Sequence, residues 1–356
     1  MLRDALSNAL RWNPGGEPSP TQIIAAALGL VGPILLGAAV GRLPLGMAAA
    51  IGALALSRGW EEGAFRQRAL GMAGSTVCGA AAIAAGSGIA MLGGAALFLI
   101  PVLAAVVALI GGINRTAGLV AAQVILVAII GSGMSDAAGK PIALAALFLL
   151  GAIWAAALAL ALAFVFPARH AQHAPAAARR PALADQVRHW RKSLGRWAGW
   201  QYPARITACL VAAAGVSLLF PSRHTSWVSL TVAIVVRRQM SEAMARTIER
   251  ALGTVAGVLL AMLLLLWPPP LPLLIGLVAV LGAARPLLRA ANYAAYAALM
   301  TPLIMLLLDL GQAPALATMI DRLLATGVGC ALSVTLGYWV WPQVEDRPGC
   351  GAGGAT

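Results

Sequence analysis

The chain has 356 residues, 60% hydrophobic and 10% charged, whereas a soluble domain is about 45–50% apolar and about 25% charged. That excludes an ordinary soluble fold, and apolar runs longer than the roughly 10-residue alternating segments of a membrane barrel mark the spans as helical. The net charge of +13 does not indicate nucleic acid, because Arg and Lys collect in the cytoplasmic loops of helical membrane proteins.

Residues 1–20 read as a short amphipathic cytoplasmic segment broken by N-P-G-G-E-P-S-P. Arg3, Asp4, Arg11 and Glu17, with no cleavage site behind a short apolar core, argue against a cleavable signal. Apolar segments follow at about 21–41, 44–57, 68–86, 88–111, 115–135 and 141–166, with the break between the third and fourth resting on Gly86 to Gly88. After a linker come segments at about 204–220, 225–237, 247–267, 270–284, 290–309 and 321–341. The expected fold is an all-α polytopic membrane protein of two parallel six-helix repeats, about 12 transmembrane helices. The repeats cover 21–167 and 204–342, joined by a cytoplasmic linker at 168–203 and followed by a cytoplasmic tail at 343–356.

Charge checks this count. With both termini inside, 21 of the 25 Lys and Arg residues fall in inner loops, and only Arg42, Lys140, Arg223 and Arg322 fall outside. Within the linker, Leu183, Val187, Trp190, Leu194 and Trp197 recur every three or four residues, while Arg188, Arg191, Lys192 and Arg196 occupy other faces. This pattern predicts an amphipathic helix on the inner leaflet, with Trp197, Trp200 and Tyr202 at headgroup level.

A charged elbow occurs twice. Arg58, Glu62 and Arg66 repeat every four residues, as do Arg238, Glu242 and Arg246, and both copies run into R-A-L-G, at Arg68 and at Arg250. Glu62 can pair with Arg66, and Glu242 with Arg246, on a helix face. Two readings stand: the charges anchor helix ends, or Arg246 and Arg250 face a vestibule and collect anions, since a guanidinium binds carboxylate in bidentate fashion and stays charged. Gly253 with Gly257, and Gly37 with Gly41, are spaced for close helix approach.

No enzyme constellation is present. His170, His173, His189 and His224 lie in the linker and one outer loop, outside any metalloprotease or acyltransferase pattern. The sequence has neither G-x-S-x-G nor a phosphate-binding G-x-x-x-x-G-K-[ST], so neither a cofactor nor ATP-driven transport is expected. Cys78, Cys209 and Cys330 lie in apolar segments and read as small buried hydrophobes. Polar residues recur at matching places in the two halves: Asn114, Arg115 and Thr116 open the fifth span, and Asn292, Tyr293 and Tyr296 open the eleventh, which also holds Thr301-Pro302. An amide, aromatic rings and a guanidinium suit a flat aromatic carboxylate; helix-start anchoring explains the same residues. Asp309 and Asp321 are candidate proton carriers, although Asp321 beside Arg322 also reads as an ion pair at a helix start.

S-W-V-S-L-T-V-A-I-V-V-R-R from Ser226, R-T-I-E-R-A-L-G-T-V-A-G from Arg246, the run from Asn292 and the close from Asp321 resemble the repeat motif of the fusaric acid resistance family, within the aromatic acid exporter superfamily. The first half matches more loosely, with R-A-L-G-M-A-G at Arg68 and Arg115 where the second half has Tyr293. The resemblance implies a bacterial inner-membrane exporter of aromatic carboxylic acids or related organic anions, driven by protons, with a path between the two repeats. Its partners would be the lipid bilayer and the organic anion. A passive anion channel is the alternative, and a third reading makes the chain a membrane scaffold for a periplasmic adaptor protein. A homo-oligomer fits any of these readings.

Overall fold

Helix starts follow local chemistry. Ser19 and Gln22 form a reciprocal capping box: the Gln22 backbone N–H donates to Ser19 Oγ (3.3 Å), and the Ser19 N–H donates to Gln22 Oε1 (3.0 Å). Asn114 and Asn292 cap two further helices by accepting from Ala117 N–H (2.7 Å) and Ala295 N–H (2.9 Å). Pro20 and Pro141 occupy first-turn positions, where a missing N–H is harmless.

The computed structural model describes residues 12, 18–56, 65–134, 140–166, 182–220, 226–238, 243–265, 270–308 and 316–341, and no strand occurs among them. The first half comprises α1 (Pro20–Ala39), α2 (Leu43–Leu56), α3 (Phe65–Ala90), α4 (Ala96–Ile110), α5 (Arg115–Gly133) and α6 (Pro141–Val165). The linker helix is α7 (Leu183–Leu194). The second half comprises α8 (Trp197–Leu219), α9 (Ser226–Val235), α10 (Ala243–Leu265), α11 (Leu271–Ala291), α12 (Tyr293–Leu308) and α13 (Leu316–Val334), with a π-helical turn at Thr335–Trp339.

Among the described residues, nine helices are long and apolar enough to cross a membrane, while α2, α9 and α12 are shorter. At 1.5 Å per residue α2 and α9 span only about 21 Å and about 15 Å. Both are central: Gly46 to Ala53 of α2 are all buried, as are Trp227, Val228, Leu230, Thr231 and Val232 of α9. Large apolar side chains such as Phe98, Ile142, Phe164 and Leu263 point outward and stay exposed. A soluble fold would bury such residues; lipid accepts them.

The packing partners recur at a step of seven helices. In the first half α1 packs on α2 and α6, α2 on α6, α3 on α5 and α6, and α4 on α5; in the second half the same pairs appear as α8 on α9 and α13, α9 on α13, α10 on α12 and α13, and α11 on α12. Contacts across the halves follow the same rule: α1 packs on α11 as α8 packs on α4, and α2 on α12 as α9 on α5.

Several boundaries depart from expectation. The third helix runs through Gly86 and Gly88 to Ala90, and the turn comes at Gly93, whose φ of 59° suits a residue without Cβ. Gly86 instead lies hard against the Ala128 carbonyl of α5, so it serves close approach rather than chain reversal. Gly253 and Gly257 do the same against the Ala294 and Ala298 carbonyls of α12. Of the other spaced pair, Gly37 packs on Gly46, whereas Gly41 (φ 69°) makes the α1–α2 turn. Helix α8 begins at Trp197 rather than near residue 204, and α13 begins at Leu316 rather than at residue 321.

The linker helix is docked as well as amphipathic. Trp190 Nε1 donates to the Leu109 carbonyl (3.0 Å), and Asn114 Nδ2 donates to Gln186 Oε1 (2.8 Å), fixing α7 to the α4–α5 turn. Trp197 stacks on Trp341, with ring centroids 5.9 Å apart.

Candidate functional site

Among the described residues four arginines are buried, at 1% exposure for Arg205, 3% for Arg250, 5% for Arg285 and 0% for Arg322. A guanidinium cannot shed its charge inside a protein, and desolvating one costs several kcal/mol unless its donors are used. What those donors touch therefore separates structural arginines from functional ones.

Arg205 of α8 is hydrogen-bonded through two of its nitrogens. Its Nε donates to the Gly337 carbonyl, its Nη2 to the Arg237 carbonyl (3.1 Å), and its guanidinium lies 4.5 Å from the centre of the Tyr338 ring. The Tyr338 hydroxyl donates to the Val235 carbonyl (2.9 Å) and accepts from the Arg237 N–H (2.8 Å). This network ties the end of α9 to the π-turn, where intrahelical bonding is irregular. Arg285 Nη2 donates to the Leu54 carbonyl of α2 (3.3 Å), and Arg238 Nη2 to the Ala108 carbonyl of α4 (3.0 Å), each linking one half to the other.

Arg250 and Arg322 differ. Nε and Nη2 of Arg250, and all three nitrogens of Arg322, are buried without a hydrogen-bond partner in the protein. The two sit on α10 and α13, which pack together, with Cys330 Sγ of α13 directed at the Thr247 carbonyl of α10 (3.9 Å). One helical turn beyond each arginine stands a threonine, Thr254 and Thr326, whose buried hydroxyl is likewise unpartnered. The Arg322 guanidinium lies 5.0 Å from the centre of the buried Trp227 ring of α9. Gly329 brings α13 against Thr231 and the Val228 carbonyl, which keeps α9 close. The result is a buried polar cluster where α9, α10 and α13 pack together, hereafter the chamber, with two arginines, two unpartnered threonine hydroxyls and an aromatic face.

The first half lacks this set. Gly151 of α6 lies against the Ala49 carbonyl as Gly329 lies against that of Val228, and seven residues before these glycines stand Leu144 and Arg322. Both are fully buried. In the R-A-L-G copies Arg68 corresponds to Arg250, and four residues on, buried Met72 stands where Thr254 does. Ala48, just before Ala49, takes the place of Trp227.

The sequence-based candidates divide. Arg250 lies in the chamber. Arg246 is paired with Glu249 (3.4 Å) and lies 4.3 Å from the centre of the Tyr293 ring, with the tilted Tyr296 ring 6.0 Å from that of Tyr293. Arg246 thus meets Tyr293 at the start of α12, beside the Asn292 cap, a contact the sequence reading did not anticipate. Thr301 is buried and donates to its own helix at the Ala297 carbonyl (2.9 Å), packed against Gly257. Asn114 caps α5, while Arg115 and Arg66 are exposed and Arg68 is half-buried. Arg58, Glu62, Glu242 and Asp309 lie outside the described residues. Asp321 is half-buried, and no hydrogen-bonded pair joins it to Arg322, because α13 starts a turn earlier than expected and carries Arg322 into the chamber. Arg322, Trp227, Thr254 and Thr326 were missed. The signal for them was a cation inside an apolar D-R-L-L-A-T stretch, with the same four-residue step to threonine as R-A-L-G-T.

A family described as fusaric acid resistance protein-like matches residues 210–336, which run from the C-terminal part of α8 into the π-turn and include every chamber residue. No curated protein and no solved structure matches the chain.

Proposed function

We propose, from the chain's membership of the fusaric acid resistance protein-like family through residues 210–336, that this multi-pass membrane protein exports aromatic carboxylates or related organic anions across a bacterial inner membrane. The observation that carries the reading is the Arg250–Arg322 pair: two buried guanidiniums with five unpartnered nitrogens beside the Trp227 ring. Such a pair is unfavourable in a low-dielectric interior until an anion compensates it. A carboxylate takes a guanidinium edge and a threonine hydroxyl, and the aromatic body lies along Trp227.

The recurrence of packing partners at a step of seven supports two parallel six-helix repeats, with α2, α9 and α12 completing about 12 crossings and both termini inside. On this reading α9, which packs on α5 of the other half, places the chamber beside the path between the repeats. Transport is driven by protons, with Asp309 and Asp321 as the carriers. The test is benzoate efflux from proteoliposomes holding the purified chain. Flux beyond electrochemical equilibrium under an imposed proton gradient, lost in Arg322→Gln, is expected. Flux that only relaxes to equilibrium makes the chain a channel, and no flux makes it a scaffold.

A further inference from the structure

The donor count in the chamber says more than that an anion binds. Arg250 presents Nε and Nη2, the side-on edge that takes both oxygens of one carboxylate. Arg322 presents all three nitrogens, and so a complete edge of its own. Each arginine has a free hydroxyl four residues on along its helix, Thr254 for Arg250 and Thr326 for Arg322, which on a helix is the same face one turn away. The chamber therefore contains two copies of one device, an arginine edge with a threonine hydroxyl, on two helices that pack together. No protein group accepts a hydrogen bond from any of those five nitrogens.

We propose that the ligand of this chamber is a dianion, a dicarboxylate that seats one carboxylate on Arg250 and Thr254 and the other on Arg322 and Thr326. The proposal rests on the reading of the chamber as an anion site. A monocarboxylate satisfies one device and leaves the second guanidinium buried and uncompensated, the arrangement that low dielectric penalises most. A dicarboxylate answers both charges and saturates both edges. The apolar linker between its carboxylates lies along the Trp227 ring that floors the Arg322 side.

The experiment is calorimetric titration of the whole purified chain, in detergent at neutral pH, with benzoate, isophthalate and terephthalate. The expected result is one dicarboxylate per chain, at a Kd about tenfold or more below that of benzoate for at least one of the two isomers. Arg250→Gln removes that margin, and Thr254→Val narrows it. Equal affinity for benzoate at one per chain means a single carboxylate bridging both guanidiniums; it overturns the dianion and leaves the anion site standing. Two benzoates per chain binding as tightly as either diacid overturns it as well. Heat with none of the three ligands overturns the anion site itself. The comparison of ligands on the wild-type chain decides the matter even where a variant fails to fold.

Discussion

The guanidinium of Arg322 lies 5.0 Å from the centre of the Trp227 ring. None of its three nitrogens is hydrogen-bonded there, and the residue is fully buried. A charge kept in that state weakens the fold. Arg322→Met keeps most of the volume, removes the desolvated charge and is expected to raise stability by about 1–4 kcal/mol. The same change abolishes anion efflux. Thermal melts and proteoliposome flux on one preparation check both signs; a destabilised Arg322→Met would make the arginine structural.

Trp227 separates aromatic preference from charge recognition. Its indole lies beneath the Arg322 guanidinium and, on the proposed reading, gives the ligand a flat face, a contribution of about 0.5–2 kcal/mol. Trp227→Leu is therefore expected to weaken aromatic carboxylate binding by roughly 3- to 30-fold and aliphatic carboxylate binding by less. Competition titrations with benzoate and an aliphatic acid measure the difference, and an equal loss for both would remove the aromatic role.

Much of the architecture was legible in the residues, and what was not has definite causes. Apolar runs, the Asn114 and Asn292 caps and the paired elbows located most helices, because caps and hydropathy are local properties. Gly86 and Gly88 misled because glycine serves both turns and close helix approach, and the Ala128 carbonyl that decides between them is remote in sequence. Arg322 misled for a related reason. A cation near the end of an apolar run marks an interface on the positive-inside argument, and only the start of α13 at Leu316 shows it to be inside the helix. Arg250 was found through its tetrad, yet its partner across α13 required the packing.

The helix-start candidates are expected to act as anchors. Asn292→Ala removes the acceptor for Ala295 N–H and costs about 0.5–2 kcal/mol, with no change in the ratio of benzoate to dicarboxylate affinity. Arg246→Ala loses a partly exposed ion pair and a ring contact, each worth about 1 kcal/mol or less. If either variant shifts that ratio, the ring pair Tyr293–Tyr296 belongs to the ligand path.

Arg205 supplies the control for Arg322. Both are buried to within 1% exposure and both lie over an aromatic ring. Arg205 differs in spending its donors on the Gly337 and Arg237 carbonyls, which join α8, the end of α9 and the π-turn. A hydrogen bond from a charged donor contributes about 1.5–3 kcal/mol, and its loss strands a buried acceptor. Arg205→Met is thus expected to lower the melting temperature and the amount of folded protein recovered from membranes. The protein that does fold keeps its dicarboxylate affinity within a few-fold of wild type. Opposite signs for the same substitution at two equally buried arginines follow from hydrogen-bond satisfaction alone, and parallel melts of the two variants test it. A shift in the same direction at both sites would mean that burial, rather than the fate of the donors, governs these residues.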